Sequence, residues 1–245
     1  MSTVNAVPFL RAPRGSAMRQ RGFTLLELSV VLVIIGLIIG AVAIGKDVQR
    51  GAVYQRITSD YVQGWAMAYD RYYEGTGHPP GDSAAAPTGL VNGGTGPLCG
   101  IDLINAMQAA GVDMPAGRAE GSADHYVYLD SNGNPQDLVI CFSNVQWAEP
   151  GSTSGIYASY ARNVMWLQRL TPALATMIDN SFDSLVDARF GKFREVIQAN
   201  NTSANLVGAA WSQDETWAIS DTVAPAATLD ESQVGVVTAY LKMSR

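Results

Sequence analysis

The 245-residue sequence is poor in histidine, cysteine and charge. Its two histidines, His78 and His125, supply little for metal binding or acid–base chemistry. Its two cysteines, Cys99 and Cys141, cannot make a structural zinc site, and no nearby histidine pair completes one. Nucleophile-elbow, zincin, P-loop and dinucleotide signatures are all missing, so the sequence predicts no catalytic residue, no resident metal and no cofactor. Charged residues make up 16%, against roughly 25% in an ordinary soluble domain. A second long apolar run is lacking as well, which excludes a polytopic membrane protein. What is abundant is apolar surface, at 47%, with five Trp, ten Tyr and six Phe, enough for a core and too much for a disordered chain. Charge is asymmetric. Arg11, Arg14, Arg19 and Arg21 precede Phe23 with no acid among them, whereas all 22 acids follow it. The acidic remainder argues against nucleic acid as a partner.

The one long apolar run extends from Phe23 to Ile44 and contains a single charge, Glu27. As a helix it is about 33 Å long, matching a hydrocarbon core of about 30 Å. Apolar side chains cover every face, which distinguishes it from the core helix of a soluble domain. The preceding arginines place the N-terminus in the cytoplasm. A secretory signal peptide is one alternative, with Ala41-Val42-Ala43 as an A-x-A cleavage pattern. An uncleaved anchor is another. Neither explains an acid four residues inside the span, a placement that calls for a partner.

The residues Arg21-Gly22-Phe23-Thr24-Leu25-Leu26-Glu27, followed by the apolar run, resemble the class III signal of bacterial type IV pilins and type II secretion pseudopilins. The resemblance implies cleavage by prepilin peptidase between Gly22 and Phe23 and methylation of the new amine. It implies that Glu27 meets the amine of a neighbouring subunit. The expected partners are other copies or other pilin subunits, the peptidase and an inner-membrane assembly platform. The expected location is the inner membrane as a single-pass precursor, then a pilus or a periplasmic pseudopilus. A charge pair in apolar surroundings must be desolvated, so Glu27 is expected to fix register rather than to add net stability. Gly36 and Gly40 form a G-x-x-x-G pair that permits close helix packing. The segment from Tyr72 to Asp82 is similar to the tyrosine-rich helix end and Pro-Gly-Asp turn of some large pilin-like proteins. One departure is Ile44, where major pilins often carry proline; it favours a minor pilin or a pseudopilin.

Beyond the run, Tyr54, Ile57, Tyr61, Trp65, Ala68 and Tyr72 recur at helical spacing, a stripe that predicts packing on a globular head. One helix from Phe23 to about Glu74 would measure roughly 78 Å. The chain thus divides into a leader (1–22), a membrane or filament-core helix (23–45), its amphipathic continuation (46–75) and an extracytoplasmic head (76–245). In the head, residues 81–97 read as an irregular loop and Ile101 to Gly111 as a short helix. His125 to Phe142 reads as a hairpin around Asn132-Gly133. Thr171-Pro172 opens a helix running towards Asp179. Strands are expected at 156–162, 193–199, 217–222 and 233–243. The predicted fold class is α+β, with the long helix packed on an antiparallel sheet.

Three clusters carry side chains suited to chemistry. Cys99 and Cys141 read as a disulfide if the head lies outside the cytoplasm, and otherwise as two buried thiols. Asp130, Asn132, Asn134 and Asp137 resemble the start of a calcium loop, but the glycine is misplaced, no glutamate closes it, and a hairpin turn accounts for the same residues. Asp179, Asp183 and Asp187 would repel along a helix face, so a break near Asp183 is expected, with solvated acids or a cation site there. The expected role is structural and non-enzymatic. A periplasmic binding protein or enzyme behind an ordinary secretion signal is the alternative of another class.

Overall fold

The computed structural model describes residues 23–119, 122–153, 155–204, 207–215 and 234–244. The leader and the strand expected at 217–222 lie outside the described residues. Residues up to Lys46 and residues from Asp47 onward form two compact units.

In the first unit, helix α1 (Leu25–Arg56) begins. Every side chain described from Phe23 to Lys46 is exposed. No polar stripe gives this segment a preferred inward face, so nothing in its own chain selects one side for burial.

In the second unit the helical run passes through a π-helical turn, Ile57–Val62, into α2 (Gln63–Thr76). All six stripe residues are buried, joined by Thr58, Val62 and Tyr69. The π turn is the feature that sequence periodicity did not foresee. Ile57, Tyr61 and Trp65 are four residues apart, and each such step overshoots a straight α-helical face by about 40°. A wider turn takes up the overshoot and keeps all three rings and branches on the core side. Thr58 Oγ1 donates to the Tyr54 carbonyl (2.9 Å), an acceptor in α1 just before the turn. Gly77, at φ 79°, ends α2 as its N–H returns to the Tyr73 carbonyl.

Among the described residues the head holds a six-stranded antiparallel sheet. Its strands are β1 (Leu98–Cys99), β2 (His125–Leu129), β3 (Pro135–Pro150), β4 (Tyr157–Leu170), β5 (Phe193–Glu195) and β6 (Val237–Lys242). The order is β1-β3-β4-β6-β5, with β2 also on β3. The hairpin read from the sequence is present, with Leu129 opposite Pro135. The second strand, however, runs on to Pro150, and the strand expected at 156–162 runs from Tyr157 to Leu170. The two form one long hairpin from Val139–Gln168 to Pro150–Tyr157. Asn144, Asn163, Gln146 and Arg162 hid this extension, because polar residues interrupt the apolar alternation on which a strand reading depends. Trp65 and Tyr69 of α2 pack on Phe142 of β3, at centroid distances of 6.1 and 5.0 Å. The helix therefore covers the sheet face bearing Ile140, Phe142, Met165, Leu167 and Leu241, all buried.

Among the described residues the head holds two further α-helices, α3 (Gly100–Ala109) and α4 (Pro172–Asp183). Thr171 caps α4 with Pro172 in the first turn, and Ser184 at φ 60° ends it beside Asp183, where the acid spacing predicted a break. The register shifts between Leu167 and Leu170, and Arg169 there has φ 62°. Its carbonyl accepts from the Tyr128 hydroxyl (3.0 Å), which in turn accepts from Thr171 N–H (2.8 Å). The 81–97 loop is irregular, as read, and is organised by buried Asp82. That carboxylate accepts from the N–H groups of Ser83, Thr88 and Gly89 and from the Thr88 hydroxyl. Burial raises its pKa, but these four donors outweigh burial and hold it below the ordinary aspartate value.

Candidate functional site

The helix start at Phe23–Leu28 is built by its own side chains. Thr24 is the residue before the first helical turn, and Glu27 is the third residue within it. The Thr24 N–H and hydroxyl both donate to Glu27 Oε2, at 2.8 and 3.0 Å. The Glu27 N–H donates to Thr24 Oγ1 (3.2 Å). This is a capping box: each side chain accepts from the other residue's backbone N–H, a donor that lacks an intrahelical partner. Sequence reasoning singled out Glu27 but missed Thr24 as its partner, although T-x-x-E before an apolar run is the signal for it. Glu27 lies in the first turn, where the positive end of the helix dipole favours an anion. Phe23 beside it is 82% exposed. Gly36 and Gly40 have open space where a side chain would stand, so the helix surface is unobstructed at both. Gly22 lies outside the described residues.

The three clusters in the head resolve into structural roles. Cys99 and Cys141 face each other across β1 and β3 and are joined by a disulfide. It closes a separation of 42 residues, a constraint worth about 3–4 kcal/mol in the chain-entropy model. The calcium-like loop is a hairpin turn. Asp130 Oδ1 accepts from Asn132 and Asn134 N–H, and Oδ2 from Gln136 and Val234. Asp137 faces His125 Nδ1 at 2.9 Å instead of the turn.

The three spaced aspartates bind backbone. Asp179 accepts from Asp187 N–H, Asp183 from Lys192 and Phe193 N–H, and Asp187 from Arg189 and Phe190 N–H. Together they tie down the connection from α4 to β5. Asp179 is wholly buried. Burial, aided by the Asp183 and Asp187 charges, pushes its pKa up to about 7. Among the described residues no group of three His, Cys, Asp or Glu is placed to hold a metal ion.

A second charged group was not foreseen, because its members are far apart in sequence. Glu149 accepts from Arg162 at Nε (3.0 Å) and Nη2 (2.6 Å), and from Lys242 Nζ (2.9 Å). The bidentate Arg162 bond, with Lys242, lowers the Glu149 pKa to about 2.

A long N-terminal helix, apolar and uncovered in its first half, together with an antiparallel head packed on its amphipathic second half, is a pilin-like α+β arrangement. The run Leu25–Thr76 is long and apolar enough to cross a membrane, with a mean hydropathy of 2.9 in its apolar window and none of that window buried. Residues 17–43 match the family model described as the prokaryotic N-terminal methylation motif, the class III signal of type IV pilins and pseudopilins. No curated protein and no solved structure matches the chain.

Proposed function

We propose that the chain is a structural subunit of a type IV pilus-like filament, cut by prepilin peptidase between Gly22 and Phe23 and assembled through its N-terminal helix. In this reading residues 1–22 are the leader and 23–45 pass from the membrane into the filament core. Residues 46–75 continue the helix and 76–245 form the extracytoplasmic head. The observation that carries the reading is an uncovered apolar helix whose one early charge, Glu27, stands within the methylation motif. Both Thr24 bonds fall on Oε2, so Oε1 is the oxygen we assign to a neighbouring subunit's Phe23 amine. Gly36 and Gly40 are assigned to close helix contacts in the core. The role is non-enzymatic.

Mass spectrometry of the mature chain tests this directly. We expect N-methylated Phe23 as the first residue. Ile44 as first residue would establish an ordinary secretion signal, and a retained Met1 an uncleaved anchor; either outcome ends the filament reading. Glu27→Leu should be processed and inserted yet enter filaments poorly, and wild-type incorporation would remove the register role. Ile44 in place of proline favours a minor pilin or a type II secretion pseudopilin over a major pilin. Imaging surface filaments with and without the protein separates the first two: a loss of secretion with no surface filament would mark the pseudopilin.

A further inference from the structure

The sheet has an unfinished edge. Strand β6 pairs with β4 up to Val164–Lys242, and Met243 N–H adds one more bond to the Asn163 carbonyl (2.9 Å). Beyond that point β4 runs on to Tyr157, paired on its other side to β3 throughout. The pairing alternates along an antiparallel ladder. Ile140 and Ala148 of β3 direct their N–H groups away from β4, to Asp124 and Ala199. Ser159 and Ala161, in the same phase as Asn163, therefore direct their N–H and C=O groups outward, along the line that β6 has left, where the Ala161 carbonyl accepts from Arg162 Nη1 (3.2 Å) and an added strand would take its place. Among the described residues no strand pairs with them there.

A cavity of about 670 Å³ borders this edge, lined by Ala161, Arg162 and Asn163 together with β6 and α2, a volume within the usual range of ligand clefts. Its two sides differ. Arg162 and Lys242 share the sheet face away from α2, where both bond Glu149, and Lys192 joins them at the cavity. Across the cavity these three cations meet two carboxylates, Glu149 and, on the α2 side, Asp70. On the α2 side the lining includes Ala66, Leu241 and Met243. Asp70 on that side is engaged by the Ser244 hydroxyl (2.9 Å).

We propose that the β4 edge at Ser159 and Ala161 binds an extended peptide of alternating acidic and apolar residues as an added strand. Backbone bonds supply affinity in strand addition, and alternate side chains supply specificity. Residues of an added strand point alternately to the two sheet faces. Those on one face meet Arg162, Lys192 and Lys242, and those on the other meet the apolar lining. Charge selects the occupant: a cationic peptide meets a surplus of like charge, and a wholly polar one leaves the apolar lining uncovered.

The test uses the full chain in detergent and two short acetylated peptides, one alternating valine with glutamate and one alternating valine with lysine. Amide exchange at Ser159 and Ala161 should be fast in the free chain and slow with the glutamate peptide. The lysine peptide should bind about tenfold more weakly, and Lys192→Glu should remove that preference. Ala161→Pro deletes one outward donor and should weaken the glutamate peptide about tenfold; Lys192→Glu, at an exposed residue, carries the test if the proline variant does not fold. Amides already protected in the free chain, or protected on concentrating the chain alone, would mean that the edge is occupied by this chain or a second copy and would overturn the proposal. Equal binding of the two peptides, or no binding, would also overturn it, leaving the cations as guards against strand addition.

Discussion

Leu32 and Trp65 belong to one helical run, yet Leu32 is 69% exposed and Trp65 is fully buried. The contrast holds for their neighbours. From Leu25 to Lys46 every described side chain is exposed, whereas from Tyr54 to Tyr72 one face is closed by the sheet. The periodicity of each segment states which kind of partner it has. An apolar stripe with polar sides needs one neighbour in one direction, and the chain supplies it. Apolarity on all sides requires partners all around. The first half of the run is thus written for its surroundings, lipid and then, on the proposed function, other helices. The second half is written for its own fold.

Paired substitutions sharpen this comparison. Trp65→Ala should destabilise the head by about 3–5 kcal/mol, as large aromatic truncations in cores do. Leu32→Ala removes a side chain of similar apolar character and should leave head unfolding unchanged. Urea titration of the full chain in detergent, followed by the Trp signals of the head, measures both. Equal losses would erase the distinction between the halves. Replacing Cys99 and Cys141 together by Ser comes next, with about 3–4 kcal/mol of head stability lost and proteolysis between residues 81 and 97 accelerated. An unchanged digest would mean that the sheet holds β1 without the bond.

The same contrast explains what was legible in the sequence. A short local period gave readings that matched at the buried stripe, the Asn132-Gly133 hairpin turn and the Thr171 cap, whereas the strand expected at 193–199 is only Phe193–Glu195. The Phe23–Ile44 run was legible from composition alone. The far halves of β3 and β4 were not, because Asn144 and Asn163 face each other across the strands. Asn144 donates to Asn163, whose Oδ1 also accepts from Val91 N–H in a distant loop (3.0 Å). Polar residues whose partners lie some seventy residues away break a local pattern without breaking the strand. The π turn escaped for a related reason: four-residue spacing fits a straight helix only until it is repeated. At the N-terminal site, Glu27 stood out as an oddity in an apolar run, while Thr24 looked ordinary until the capping geometry joined them.

Two carboxylates in the head give opposite pH signatures. The Asp179 pKa is raised to about 7, burial first and the Asp183 and Asp187 charges next. The folded head therefore holds a proton there that the unfolded chain has already released. Stability from this group is full below the ordinary aspartate pKa and is lost as pH rises from about 4 to about 7. Glu149 is lowered to about 2 by Arg162 and Lys242. Its contribution is present above the ordinary glutamate pKa and is lost as pH falls from about 4.5 towards 2. Head stability should accordingly decline on both sides of an optimum near pH 4–5. Asp179→Asn should flatten the neutral limb and leave the acid limb in place. A neutral limb that survives Asp179→Asn would assign it to another group.

The smallest effect compares the exposed helix start with the head, because Thr24 and Thr171 do the same capping job in different settings. Thr171 is wholly buried and accepts from Leu174 N–H at the start of α4. Thr171→Ala should cost the head about 1–2 kcal/mol, the upper range for a cap, since the donor it leaves is shielded from water. Thr24 caps an exposed turn, where water or a headgroup takes over the freed Glu27 N–H, while the N–H of residue 24 keeps its bond to Glu27 Oε2. Thr24→Ala should leave head unfolding unchanged. Its mark should be local, with amide exchange at Glu27 and Leu28 accelerated several-fold as the first turn of α1 frays. The capping box also orients the Glu27 carboxylate, so the same variant separates two roles for that acid. If Thr24→Ala frays the turn and filaments still incorporate the subunit normally, Glu27 serves assembly without the orientation that the Thr24 hydroxyl gives it. If incorporation falls with the fraying, the orientation that Thr24 gives the carboxylate is part of the contact.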